Sequence, residues 1–162
     1  MISEKELKNY LDLKDKKEEE MNISLETAKL AKEKGFNEPS THFYVVNFSS
    51  FKEDGKLKKW GEDNFFQVQR LSKGQPHLAL APTQSELQKW IREVLEINVE
   101  SNYLPNADKY SAIYVPKSLP KPNTFNNTKE YLDSRSKFYS NINFDTYEEA
   151  LEEGLIKALK FI

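Results

Sequence analysis

The sequence predicts a mixed α+β fold: an antiparallel sheet of hairpins with helices packed on one face, preceded by N-terminal helices. Two observations support this fold class. Aromatic and β-branched segments typical of strands are followed twice by an amphipathic helix that begins with a threonine, Thr83 or Thr146. Turn residues join strand segments in pairs, and helices that do not alternate singly with strands favour an antiparallel α+β arrangement. The same order of segments suggests a ββα pseudo-repeat.

The chain divides into two parts by composition. It has 162 residues, of which 38% are hydrophobic and 31% charged, with a net charge of −2. We assign 1–21 to a charged N-terminal helix or arm and 22–162 to a single α+β domain, because this length suffices for one hydrophobic core. Ser3 and Glu6 fit a capping box, but 14–20 offers no apolar face. We therefore expect the arm to pack weakly or to dock on a partner.

Turn residues and local patterning set the predicted elements of the first half. Ser24 or Asn22 can cap a helix that Gly35 ends, and the Asp54-Gly55 pair is typical of a hairpin turn. Composition and alternation predict strands over 42–48, 66–71 and 77–81.

The second half has the clearest helical patterns. Apolar residues recur at helical spacing after Thr83 and again after Thr146, each with a capping glutamate three residues on. Between these helices the pattern predicts strands over 97–103 and 110–115, an irregular loop over 116–128, a short helix over about 127–134 and a strand over 138–144.

The last helix carries two further expectations. Four glutamates lie opposite its apolar stripe, namely Glu148, Glu149, Glu152 and Glu153. We expect them to form a solvated acidic face rather than a metal site. Gly154 lies on the apolar stripe, where glycine costs about 1 kcal/mol against alanine. We therefore expect another backbone to approach the helix closely there.

Several classes of chemistry lack their residues. The chain has no cysteine, which excludes disulfides, thiolate nucleophiles and cysteine-based zinc sites. It contains no H-E-x-x-H pattern and none of the glycine-rich phosphate-binding or nucleophile-elbow motifs. The sequence therefore predicts no metal site, no cofactor and no catalytic constellation, although it leaves enzymatic activity undecided.

Two alternatives to a non-enzymatic role remain open. The histidines, His42 and His77, each start a predicted strand, and either could serve a small hydrolase if a carboxylate oriented it. Single-strand nucleic-acid binding would instead use aromatic strands flanked by basic residues, namely Lys56, Lys58, Lys59, Arg70 and Lys73. No basic domain accompanies these residues, so nucleic acid is disfavoured as a partner.

The aromatic residues are the candidate binding residues. They concentrate in the hairpins and in the later part of the chain, and tyrosine and tryptophan are enriched at binding surfaces. Aromatic strands also form ordinary sheet cores, so each of these residues has a structural interpretation as well. The candidates are Trp60, Tyr103, Tyr110, Tyr114 and Tyr139.

Three segments resemble a family of small proteins encoded by phages and prophages of gut bacteria, for which no activity is established. They are ISLETAKLAKEKGF at 23–36, APTQSELQKWIREVLEINVES at 81–101 and TYEEALEEGLIKALKFI at 146–162. The resemblance implies a phage setting and expression in a bacterial cytoplasm. It supplies no catalytic residues that could be carried over to this chain.

The leading hypothesis is a non-enzymatic phage or prophage accessory protein that binds another macromolecule. A protein partner or self-association is favoured, because no catalytic motif competes with the aromatic hairpins and the charged arm. No signal-peptide pattern occurs, and no apolar run approaches the roughly 18 residues of a membrane span. We therefore expect a cytoplasmic protein of the bacterial host cell with no membrane partner.

Overall fold

The computed structural model describes most of the α+β domain. It describes residues 21–46, 55–59, 78–119, 128–140 and 143–162. In chain order its elements are α1 (Leu25–Glu33), β1 (His42–Val45), β2 (Leu57–Lys59), β3 (Leu78–Leu80), α2 (Gln84–Val94), β4 (Ile97–Leu104), β5 (Lys109–Pro116), α3 (Thr128–Ser136) and α4 (Tyr147–Phe161). The predicted arm at 1–20, the predicted strand at 66–71 and most of the loop at 116–128 lie outside these residues.

The predicted α+β class with antiparallel pairing is confirmed, but the described strands form two sheets instead of one. One sheet has the order β2-β1-β3, and the other is the hairpin of β4 and β5. Alternation along a strand reports which side chains are buried and not which strand lies beside it. The sequence therefore indicated the strands and their antiparallel turns, while the division into two sheets was not predictable from it.

The helix starts form as their sequences predict. Ser24 caps α1 by accepting a hydrogen bond from the backbone of Thr27 at 3.3 Å. Thr83 and Thr146 both form complete capping boxes at the starts of α2 and α4. Gly35 follows α1 with a φ of +89°, which is the left-handed conformation that glycine adopts without strain.

The described residues of the segment predicted as a strand at 138–144 pair with the outer edge of β5 through isolated bridges. Tyr139 forms an isolated antiparallel bridge with Ile113, and Phe144 forms one with Tyr110. The backbones of Tyr110 and Phe144 exchange two hydrogen bonds, of 2.9 and 2.8 Å, and Ser140 donates to Ala112 at 2.8 Å. This segment therefore covers the edge of the hairpin that faces away from β4.

The core lies where the helices meet the two sheets. Its largest fully buried apolar side chains come from the start of the domain, from α2 and from α4: Ile23, Leu87, Ile91, Leu155 and Leu159. Helix α4 packs on both strands of the β4–β5 hairpin, and α1 and α2 pack against α4. The long C-terminal helix is thus the element that joins the others.

Gly154 sets the distance between α4 and the hairpin. A Cβ at this position would lie 2.8 Å from Cγ1 of Val99 on β4 and 3.3 Å from Cβ of Ala112 on β5. The expected close approach is therefore real, and it is made mainly by side chains, with the carbonyl oxygen of Ile113 next nearest at 4.0 Å. The helix lies so close to the sheet that a side chain at position 154 would force Val99 or Ala112 to shift.

We expect Gly154→Ala to lower the free energy of unfolding by up to about 2 kcal/mol. Overpacking typically costs about 1–3 kcal/mol, and the gain in helix propensity of about 1 kcal/mol offsets only part of it. Chemical denaturation followed by circular dichroism measures the change. In a Val99→Ala background the cost should shrink, because the nearest atom is gone. An unchanged or increased stability in the wild-type background would contradict the packing argument.

Candidate functional site

Three tyrosines form a contiguous exposed aromatic surface at one end of the hairpin, which we call the tyrosine ladder. Tyr103 of β4 lies directly opposite Tyr110 of β5, with ring centroids 5.3 Å apart. The ring of Tyr147, the first residue of α4, meets Tyr110 edge-on at 6.4 Å. Tyr103 is 50% exposed and Tyr147 is 43% exposed. The ladder thus presents rings that are partly packed on one another and partly open to water.

The position of the ladder follows from where α4 begins. Val99, Tyr103 and Tyr110 share the face of the hairpin on which α4 packs, because side chains alternate along a strand. Val99 is buried beneath the middle of the helix near Gly154. Because the helix starts only at Tyr147, the far end of the same face extends beyond it. The tyrosines therefore occupy the part of this sheet face that the helix leaves uncovered.

Polar contacts hold the turn of the hairpin beside the ladder. The hydroxyl of Tyr103 donates to Oδ1 of Asp108 at 2.7 Å, and this hydrogen bond, with the negative charge of Asp108, raises the pKa of Tyr103 above its ordinary value. Lys109 forms an ion pair with Asp145, which raises the pKa of the lysine. These contacts fasten the turn both to the ring of Tyr103 and to the segment that precedes α4.

The other predicted aromatic residues lie apart from the ladder. Tyr114 is partly buried and packs edge-on against Phe138 at 5.7 Å and Phe161 at 6.0 Å. Tyr139 is 40% exposed, but it bridges Ile113 and therefore lies on the opposite face of the hairpin. Trp60 lies outside the described residues. Of the four candidates that the structure describes, Tyr103 and Tyr110 are the two in ring contact with each other.

Tyr147 is the ladder residue that the sequence did not single out as a binding residue. It belongs to the apolar stripe of α4, and that periodicity predicts a core position. Its place as the first helical residue after Thr146 was the available signal, because a side chain at a helix end has fewer neighbours to bury it.

The basic and histidine residues of the two alternatives are only partly described. His42 is 8% exposed on β1, and its Nδ1 lies 2.9 Å from the hydroxyl of Thr41. Lys58 and Lys59 lie on the short strand β2, with Lys56 just before it. His77, Arg70 and Lys73 fall outside the described residues. The described contacts therefore add no support to the small hydrolase or to single-strand nucleic-acid binding.

An open groove of about 660 Å³ lies along the first turns of α4, on the side of the helix that carries its four glutamates. Its lining includes Phe144, Ile156 and the acidic residues Asp145, Glu148, Glu149, Glu152 and Glu153.

In the parts of the chain that the structure describes, no group of three or more histidine, aspartate or glutamate side chains is arranged to hold a metal ion. No helix among them combines the length and apolarity needed to cross a bilayer.

Glu152 corrects the expectation that all four glutamates of α4 are solvated. Its Oε1 accepts hydrogen bonds from the backbone N–H of Ser24, at 2.8 Å, and from the hydroxyl of Thr27. Its Oε2 accepts from Nε2 of Gln84 at 3.1 Å. The carboxylate therefore joins α4 to the starts of α1 and α2, and a helical pattern in one element cannot show that two other helices begin beside it.

Comparisons of the chain with protein-family models, with curated proteins and with solved structures returned no match.

We expect Glu152→Ala to lower the free energy of unfolding by about 1–3 kcal/mol, because it removes the acceptor for three hydrogen bonds. Glu153→Ala is the matched control: it makes the same change in helix propensity and loses only a surface ion pair with Lys157 at 3.5 Å. The control should stay within about 0.5 kcal/mol of wild type. Equal effects of the two substitutions in urea denaturation would contradict the role of Glu152.

We expect Asp108→Gly to lower the pKa of Tyr103 toward the ordinary tyrosine value, since it removes both the hydrogen-bond acceptor and the negative charge. Glycine tolerates the positive φ of +50° at this position, so the turn is preserved. A pH titration of the Tyr103 ring signals by NMR, in wild type and in the variant, measures the change. A Tyr103 pKa that does not move would show that the hydrogen bond is absent in solution.

Proposed function

We propose that this chain is a non-enzymatic protein that binds another protein through the tyrosine ladder. The observation that supports the proposal is the exposure of Tyr103 and Tyr147 in direct ring contact with Tyr110. Single exposed apolar residues are common on protein surfaces and need no explanation, whereas a contiguous group is typical of interaction sites.

The chemistry of tyrosine suits a protein partner. The ring supplies a large apolar area, the hydroxyl adds a hydrogen-bonding group, and few rotatable bonds are immobilised on binding. Here the rings are also held in place before binding, because they pack on one another and Tyr103 is hydrogen-bonded to Asp108. Preorganisation of this kind lowers the entropic cost of association.

The phage or prophage setting belongs to the same proposal and rests on the resemblance of the three segments. It makes a protein of the bacterial host cell the first partner to look for, with activity in the cytoplasm. A second copy of the chain is the other form that the partner can take, since the sequence also favours self-association.

We expect the double variant Tyr103→Ala/Tyr147→Ala to lose its partner. Truncating central aromatic residues of an interface commonly costs about 1–2 kcal/mol or more each, so affinity should fall at least about tenfold. Tagged wild-type and variant proteins are used as baits in a bacterial lysate, and captured proteins are quantified by mass spectrometry. Light scattering on the same proteins reports self-association.

Tyr139→Ala is the matched control, because it makes the same substitution at a similarly exposed tyrosine on the opposite face of the hairpin. Circular dichroism first establishes that all variants are folded. A partner or an oligomer retained by the control and lost by the double variant supports the proposal. If wild-type and double-variant baits capture the same proteins in the same amounts and have the same mass, the ladder is not the binding surface.

A further inference from the structure

The outer edge of β4 has backbone groups that point away from the hairpin. Backbone N–H and C=O groups alternate between the two sides of a strand in an antiparallel sheet. On β5, Tyr110 and Ala112 bond outward to the 138–144 segment, so Ser111 between them faces β4. The register then places Ser101 and Tyr103 of β4 with their backbone groups directed outward, away from β5.

In the part of the chain that the structure describes, these outward groups are not hydrogen-bonded. Among the described residues, nothing bonds to the backbone N–H or C=O of Ser101 or Tyr103. Two residues before Ser101 the edge is already occupied, because Nε2 of Gln88 on α2 donates to the carbonyl of Val99 at 2.6 Å. The edge is therefore open over a short stretch that begins at Ser101 and ends at the turn.

A second observation falls on the same residue. The hydroxyl of Ser101 is buried and makes no hydrogen bond, and it is the only such side-chain atom within the described ranges. Buried polar atoms in folded proteins almost always have a partner, so an exception calls for an explanation. Ser101 therefore has an unpaired side-chain hydroxyl in addition to unpaired backbone groups.

We propose that the outer edge of β4 accepts an extended segment of the partner protein as an added antiparallel strand. This inference rests on the proposed function and specifies how the partner is held. The N–H and C=O groups of Ser101 and Tyr103 bond to the backbone of the added strand, as in other complexes formed by strand addition. Pairing is antiparallel, as it is for every strand pair of this structure.

The two faces of the edge define the side chains of the added strand. Residues that pair with Ser101 and Tyr103 place their side chains beside the tyrosine ladder, so they are apolar. The alternate residues lie on the opposite face near Glu100, which is exposed and has no ion pair among the described residues. Opposite charges on neighbouring strands attract, so these residues are lysine or arginine. The partner segment therefore alternates apolar and basic residues.

A single extended segment fits this edge better than a second copy does. Pairing two copies through Ser101 and Tyr103 would bring Val99 of each beside the turn of the other, near Pro105. Gln88 and helix α2 already lie at Val99, and proline has no N–H to offer the strand.

The test uses a fluorescein-labelled peptide that alternates valine and lysine, with the full chain and fluorescence anisotropy as the readout. Two derivatives of this peptide are methylated on backbone nitrogens, one at the valines and the other at the lysines. The two derivatives therefore carry the same charge. In antiparallel pairing the valine amides face β4. Valine methylation should therefore weaken binding about tenfold or more, and lysine methylation should change it by about twofold at most.

Hydrogen exchange by NMR locates the pairing. Binding of the unmodified peptide should slow exchange at the amides of Ser101 and Tyr103. Glu100→Gln should weaken binding about two- to fivefold, as expected for the loss of one cross-strand charge pair. Glu93→Gln, which removes an exposed charge from α2, is the matched control and should bind as wild type does.

Equal sensitivity to the two methylated peptides, no binding, or binding that leaves both amides unprotected would overturn strand addition. Protection that appears without peptide and grows with protein concentration would also overturn it, since a second copy would then occupy the edge. If strand addition fails while the bait experiment still shows a ladder-dependent partner, the proposed function stands. If the peptide pairs as expected and capture does not depend on the ladder, the ladder proposal alone fails.

Discussion

The contact between α4 and the β4–β5 hairpin at Gly154 determines the positions of most other features. Because a side chain is absent there, the helix lies directly on Val99 and Ala112. This close packing buries Leu155 and Leu159 fully in the core. The opposite side of the helix carries Glu152, whose carboxylate binds the starts of α1 and α2. One helix thus organises a hydrophobic contact on one side and a polar junction on the other.

The same contact explains why the tyrosine ladder is exposed. Thr146 begins the helix through its capping box, so the first side chain that can cover the hairpin is that of Tyr147. The hairpin is longer than the part of the helix that covers it, and its strands continue to Leu104 and Lys109. The exposed rings of Tyr103 and Tyr147 are the consequence of a long hairpin packed against a helix that starts late.

Local patterns in the sequence predicted most of the described helices and strands and one tertiary contact. The capping boxes at Thr83 and Thr146 and the close approach at Gly154 were predictable, because each is encoded within a few residues. The role of Glu152 was not, since it depends on two other helices starting nearby. The same limit applies to the tyrosine ladder. The sequence suggested Tyr103 and Tyr110 as binding residues, but only the tertiary packing shows that Tyr147 contacts them and that Tyr139 lies on the opposite face of the hairpin.

The two edges of the β4–β5 hairpin differ in how far the described residues occupy them. Phe138, Ser140 and Phe144 bond to the backbones of Tyr114, Ala112 and Tyr110, so the outer edge of β5 already has a neighbour. On β4, Gln88 donates to the carbonyl of Val99, and residues 101–104 contain no lysine, proline or bulge of the kind that protects exposed strand edges. In the described part of the chain, unpaired backbone groups and uncovered tyrosine rings therefore meet at one place, and a partner that pairs with the first would also cover the second.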